Sequence, residues 1–218
     1  MGIPLGDVSR RTVHRPVITI LIIAANAVVF FMELTGGDAF VQRWSLIPAD
    51  IVAGHNWITI LTSMFMHEGW LHILGNMVFL WAFGPQIEDA MGPFRYLTFY
   101  LLSGLVAMLG QVAASPASTI PNLGASGAIA GVMGAFIVTY PRDGIRTILF
   151  LGFFFPVTVL PAGLLIGIWF LMQLFSGVGS VAQAQATGGV AYMAHVAGFI
   201  FGAVAARLFE QRDRIGAR

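Results

Sequence analysis

The chain has 218 residues, 57% of them hydrophobic and 10% charged, with a mean hydropathy of +0.83. Soluble domains carry about 25% charged residues, so there is too little polar surface here to cover a water-soluble globule. The apolar residues come in long runs without the strict alternation of outer-membrane barrel strands, which predicts an all-α, polytopic membrane protein.

The chain has no cysteine, which removes disulfides and cysteine-ligated metal sites. Its net charge of +1 argues neither for nor against nucleic acid. Residues 1–16 read as a short, polar, basic segment ahead of the first span, Val17 to Met32. No small-residue cleavage site follows that span, so it is expected to be retained rather than removed as a signal peptide. The second span is expected near Leu71 to Phe83, the third from Phe94 to Ala114, and the fourth near Ser126 to Tyr140. The fifth is expected near Pro161 to Phe175 and the sixth from Val190 to Phe209. Several fall short of the ~20 residues of a full span, which implies helix ends buried inside the protein or a thinned bilayer.

Two apolar stretches fit this layout poorly. "WITILTSMFMHEGW" (57–70) reads as an interfacial or re-entrant part of the first loop. "GIRTILFLGFFFPVTVLPA" (144–162) precedes span five, or lengthens it with kinks at Pro156 and Pro161.

Six spans put both termini on one side, together with Arg10, Arg11, Arg15, Arg95, Arg142, Arg146, Arg207, Arg212, Arg214 and Arg218. The other side holds Arg43 alone, so both termini are expected in the cytoplasm. No linker or internal repeat divides the chain. It reads as one membrane domain, 17–209, with a C-terminal tail, 210–218.

Polar side chains inside a membrane are costly and mark function. Here they are Asn26, His72, Asn76, Ser126, Gln173 and His195, with His67 at a loop edge. His72 and Asn76 stand at the outer end of span two, four residues apart and so on one helix face. Ser126 starts span four, and His195 lies about 7 Å into span six at 1.5 Å per residue. These four share one depth. Gly127 and Gly131, and Ala194, Gly198 and Gly202, form small-xxx-small faces that allow spans four and six to approach closely. A serine in a Gly/Ala-rich helix is by itself most often a packing residue, and Asn76 by itself is interhelical glue. Together they supply a nucleophile, a base and two side-chain donors, the components of acyl transfer. Asn26 and Gln173 have no partner in this pattern and read as structural.

The ordered pieces "LTSMFMHEGWLHILGNMVFLWAFGPQIEDAMG", "GASGAIAGVMGA" and "AHVAGFIFG" resemble the rhomboid intramembrane serine proteases over roughly residues 57–205. That resemblance implies a six-transmembrane-helix rhomboid-like bundle. It makes Ser126 the nucleophile, His195 the general base, and His72 and Asn76 the oxyanion donors. It implies transmembrane protein substrates, the lipid bilayer as surroundings and, with the short termini, a bacterial inner membrane as location, an organelle membrane being the alternative. It implies no cofactor, no metal and no nucleic acid. Glu88 and Gly92 resemble the family's turn after span two. The sequence departs from the family at Ile58, where a basic residue often follows the loop tryptophan. It departs again at Ala130, where some members carry an aromatic that packs on the histidine. No Asp or Glu is expected in the spans at the site's depth, so a Ser–His dyad is expected, with its ring oriented by packing. The competing readings are a catalytically inactive rhomboid-like client-binding protein and, more distantly, a transporter.

Overall fold

The structure, a computed structural model, describes residues 2–150, 152–182 and 191–215. A strand, β1 (Gly2–Asp7), precedes the long helix α1 (Val17–Trp44). The first loop holds the short helices α2 (Pro48–Val52) and α3 (Thr59–Thr62) and a 3-10 turn (Ser63–Phe65). Helices α4 (Trp70–Met91), α5 (Pro93–Ala114) and α6 (Ser126–Thr139) follow. Strands β2 (Gly144–Leu149) and β3 (Val157–Pro161) lead into α7 (Ala162–Ala182), α8 (Tyr192–Phe209) and the short α9 (Arg212–Ile215). Among the described residues, α1, α5 and α8 are long and apolar enough to cross a membrane, and α6 and residues 162–177 of α7 are shorter apolar helices. The protein is a multi-pass integral membrane protein built as a helical bundle.

Helix α6 is the centre of the bundle. Every residue from Gly127 to Phe136 is buried, and it packs chiefly on α8, then on α5 and α4. Its 14 residues give a length of about 21 Å at 1.5 Å per residue, against about 30 Å of hydrocarbon. Such a helix is shorter than the hydrocarbon is thick. Glycine makes the central contact possible. A Cβ on Gly198 would stand 2.1 Å from the Gly127 carbonyl oxygen, and one on Gly202 would stand 1.9 Å from that of Gly131. Spans four and six therefore meet backbone to backbone on the small-residue faces read from the sequence.

Three helices outrun their expected ends, α7 among them, which runs past Phe175 to Ala182. Helix α1 continues past Met32 and bends at Gly37, whose φ of 59° and ψ of −155° are not helical. Helix α4 continues past Phe83, through Pro85, into buried Gln86, Glu88 and Asp89. Those acids are buried because they serve as acceptors. The Glu88 carboxylate receives the Ile18 and Thr19 N–H groups and the Thr19 hydroxyl, all within 2.8 Å. It thereby caps the first turn of α1, where the helix leaves its N–H groups unpaired and its dipole favours negative charge. Asp89 receives the Val13 N–H at 2.8 Å and pairs with the His14 imidazole at 2.7 Å. The "IEDAMG" turn thus fastens α4 to the start of α1.

The bundle also carries a sheet that the sequence reading did not anticipate. Residues 144–162 do not lengthen span five with kinks. They form a β-hairpin, and residues 2–7 add a third antiparallel strand in the order β1-β2-β3. Ile3 pairs with Ile148 and Thr147 with Thr158, and a bulge lies between Pro4 and Gly6. The hairpin is written in β-branched residues (Ile145, Thr147, Ile148, Val157, Thr158, Val159) around a turn in which Gly152 takes φ 65°. Pro156 precedes β3 and Pro161 is its last residue, on an edge strand of the sheet, where proline is tolerated. β1 packs on α4, and β2 and β3 reach α7. Gly2, Leu149 and Leu160 enclose a cavity of about 270 Å³ with Phe79 of α4, Met133 of α6 and Trp169 of α7. The sheet therefore bridges α4 and α7 across the face of α6.

The root of the sheet is polar. Val8 N–H donates to the Gly144 carbonyl at 2.9 Å, and Gly144 N–H donates to the Ser9 hydroxyl at 2.7 Å. Arg10 pairs with Asp143 and lies over the Tyr140 ring, 4.6 Å from its centroid. Burial, with a smaller contribution from neighbouring Asp143, pushes the Asp7 carboxyl up to about 6. A carboxyl raised above its unfolded value of about 4 favours the docked strand in its protonated form. That contribution is lost as pH rises through about 6. Amide hydrogen exchange of residues 2–8, corrected for intrinsic rate, is expected to speed several-fold from pH 5 to 7.5. In Asp7→Asn the corrected rates are expected to stay level; an equal rise in both proteins would remove Asp7 as the cause.

Candidate active site

Ser126 is the first residue of α6, and the loop before it is pinned. Leu46 and Asn122 exchange backbone hydrogen bonds of 3.0 and 2.7 Å, and Gly124 N–H donates to the Ser63 carbonyl at 2.9 Å. Gly124 adopts φ +136°, and a Cβ there would stand 3.0 Å from His72 Nε2 and 3.4 Å from Ser126 Oγ. Glycine at this position keeps open the small space that the serine and the histidine share.

His195 sits in the first turn of α8, where the Gln111 side chain accepts the Ala194 N–H at 3.3 Å. Its Nε2 stands 2.7 Å from Ser126 Oγ, and its Nδ1 stands 2.7 Å from Gln173 Oε1 on α7. The Trp169 ring, one turn earlier on α7, lies 5.8 Å from the imidazole at 37°. Ala130 is fully buried in the core. The aromatic support that some relatives place four residues after the serine is supplied here by a different helix.

His72 and Asn76 follow one another by a turn near the start of α4. Glu68 N–H points at His72 Nδ1 from 3.4 Å, which leaves the proton on Nε2, the nitrogen facing Gly124. The Asn76 side-chain nitrogen is buried and donates to no group among the described residues. The Ser126 N–H belongs to the open first turn of a helix, at the positive end of its dipole. His72 Nε2 thus borders the space in front of Ser126, and Asn76 stands one turn further along the same face of α4. An oxyanion donor contributes roughly 3 kcal/mol in comparable sites. Asn76→Ala is accordingly expected to lower kcat about 10²-fold with little change in KM. A thermal-unfolding midpoint falling in step with activity would make Asn76 a packing residue instead.

Other polar residues of the spans behave differently. Asn26 donates to the Ile22 carbonyl of its own helix at 2.7 Å and is fully buried, the structural role expected of it. Gln173, read as structural from the sequence, stands at the histidine. The signal that could have found it is its i, i+4 spacing from Trp169, which puts both on one face of α7. A carboxylate also lies nearer than expected. Glu33, on the prolonged α1, is buried and accepts the His67 N–H through both oxygens, at 3.1 and 3.0 Å. It bonds the backbone rather than an imidazole, so it orders the segment before α4 and makes no triad. The His67 ring meets His72 edge-on at 5.1 Å, and burial, then His72, pushes it down to about 4.

Residues 54–212 match the rhomboid domain. The chain belongs to the rhomboid family. It is 33% identical over 127 residues to "Rhomboid protease GluP" of Bacillus subtilis, covering 56% of this chain and 24% of that protein. It is 30% identical over 167 residues to "Rhomboid protein 1, mitochondrial" of Saccharomyces cerevisiae, covering 75% and 44%. It is 31% identical over 190 residues to "RHOMBOID-like protein 12, mitochondrial" of Arabidopsis thaliana, covering 79% and 55%. The chain thus spans from a quarter to just over half the length of these rhomboid relatives. The rhomboid match takes in Ser126, His195, His72, Asn76 and Gln173 alike.

Proposed function

We propose that this rhomboid is an intramembrane serine endopeptidase that cleaves transmembrane segments of other membrane proteins. The observation that carries this reading is the 2.7 Å contact between Ser126 Oγ and His195 Nε2. Serine attacks the scissile carbonyl carbon as Nε2 takes its proton. The tetrahedral oxyanion is met by His72 Nε2–H, the Asn76 amide and the Ser126 N–H. Collapse breaks the C–N bond, and the imidazolium returns its proton to the departing amine. Water then attacks the acyl-serine by the same route, so water is the only co-reactant.

The six spans are α1, α4, α5, α6, α7 and α8. The arginine excess puts both termini in the cytoplasm, and the setting is a bacterial inner membrane. The serine then opens toward the outer face, where water reaches it and where a substrate helix is cut near its end. A substrate helix shields its peptide bonds in its own hydrogen bonds, so small or helix-weakening residues at the cut allow local unwinding. An inactive client-binding protein has no use for a serine hydroxyl aimed at an imidazole.

The test is reconstitution in liposomes with a single-span substrate, alongside labelling by a fluorophosphonate. Cleavage near one end of the span, with label on Ser126 alone, is expected. A folded preparation that neither cleaves nor labels would return the client-binding reading.

A further inference from the structure

Resting on the protease reading above, we infer that Gln173 is a positioning residue for catalysis, the third member of a Ser126–His195–Gln173 relay in which α7 sets the tautomer of the base. Gln173 is 8% exposed, and its Oε1 lies 2.7 Å from His195 Nδ1. Nε2 of the same ring is occupied by Ser126 Oγ at 2.7 Å. The donor and acceptor count leaves one arrangement. A neutral imidazole has one N–H and one lone pair. To take the serine proton, the lone pair must be on Nε2, so the hydrogen is on Nδ1. The partner of Nδ1 must then accept, and the amide oxygen is the atom that faces it. The same oxygen keeps that bond when Nε2 gains its proton and the ring becomes an imidazolium donating from both nitrogens. A buried carboxylate performs this orienting role in soluble serine proteases. Here a neutral amide performs it and places no full charge inside the bundle, where an ionised acid is costly.

The bland alternative is that Gln173 is interhelical glue joining α7 to α8. Two features argue against glue alone. α7 brings two groups to one ring from a single face, the amide at Nδ1 and Trp169 over the imidazole. And α7 already has an apolar seat on α8, with Phe170 stacked on Phe199 at 4.2 Å and Trp169 against Phe199 at 6.4 Å. Its cohesion does not need a hydrogen bond to the base. The start of α7 is fixed as well, since Ala162 N–H donates to Asp143 and Gly163 N–H to Pro141, both at 2.8 Å.

The test uses Gln173→Met, which keeps length and volume without an acceptor, and Gln173→Glu, which keeps the acceptor. In the full-length protein in liposomes, Gln173→Met is expected to lower kcat 10- to 100-fold, with KM within threefold of the parent. Gln173→Glu is expected to recover at least fivefold over Gln173→Met. A second readout needs no substrate and so stands apart from the protease reading. With ¹⁵N-labelled histidine, the His195 ring is expected to be the Nδ1–H tautomer in the parent and in Gln173→Glu, and a mixture in Gln173→Met. Gln173→Met keeping more than half the parent kcat, Gln173→Glu no better than Gln173→Met, or a tautomer ratio unchanged in Gln173→Met would each overturn the relay.

Discussion

Ser126→Ala and His195→Ala are each expected to reduce cleavage of a single-span substrate by at least about 10³-fold, and the double variant to lose no more than either alone. The two side chains act as one unit through a single 2.7 Å contact, and residues that act as a unit are strongly non-additive. Without the imidazole, the serine hydroxyl keeps its proton and stays a poor nucleophile. Without the hydroxyl, no acyl-enzyme forms. Ser126 is only partly buried and lies at a helix start, so removing one oxygen leaves the fold in place. Initial rates from reconstituted protein, with unfolding midpoints beside them, provide the measurement. Losses that multiply in the double variant would show two independent contributions and dissolve the dyad.

Gly202→Ala is expected to be the most damaging single methyl group in the helix core. Its Cβ would stand 1.9 Å from the Gly131 carbonyl oxygen and 2.6 Å from Gly131 Cα, and both are backbone atoms that no rotamer change can move away. Overpacking of this kind costs about 1–3 kcal/mol. The relief available is separation of α6 from α8, the two helices that carry Ser126 and His195. A displacement of about 1 Å at reacting groups can cost 10²-fold in rate. Stability and turnover are therefore expected to fall together. Gly167→Ala in α7 provides the contrast, because no atom lies within 4 Å of its added Cβ. It is expected to be neutral or mildly stabilising, since alanine exceeds glycine as a helix former by about 1 kcal/mol. Equal unfolding midpoints for the two alanine variants in one detergent would refute the close-packing account.

What the sequence made legible follows from range. Apolar runs are local, so the main helices could be read one by one. Gly127, Gly131, Gly198 and Gly202 could be matched across 70 residues because small residues at a four-residue period mark a contact face whatever the partner. Ser126 and His195 then fell together by depth. Four features lacked such a signal. Glu88 and Asp89 look like the end of a span, since charge ordinarily stops one, yet here they accept hydrogen bonds from the start of α1. Glu33 looks like loop because Gly36 and Gly37 follow it, but only Gly37 breaks the helix. Gln173 carries only its shared face with Trp169, and the imidazole opposite that face belongs to another helix. The strand at residues 2–7 contains two glycines and a proline and has no strand propensity of its own; its pairing partner supplies the conformation.

That last pairing bears on how the chain can assemble. β1 precedes α1 in the chain, and its partner β2 follows about 140 residues later. Most helices find neighbours closer in sequence, so closing this sheet is a long-range step, and contacts of that kind form slowly. Until it closes, β2 has an unpaired edge, and backbone N–H and C=O groups buried without partners are costly. The hairpin therefore gains its shelter late, when the segment that precedes α1 lies down between it and α4. Assembly of this rhomboid would then run in two stages: a helical bundle first, and afterwards the sealing of one side by the segment that precedes α1.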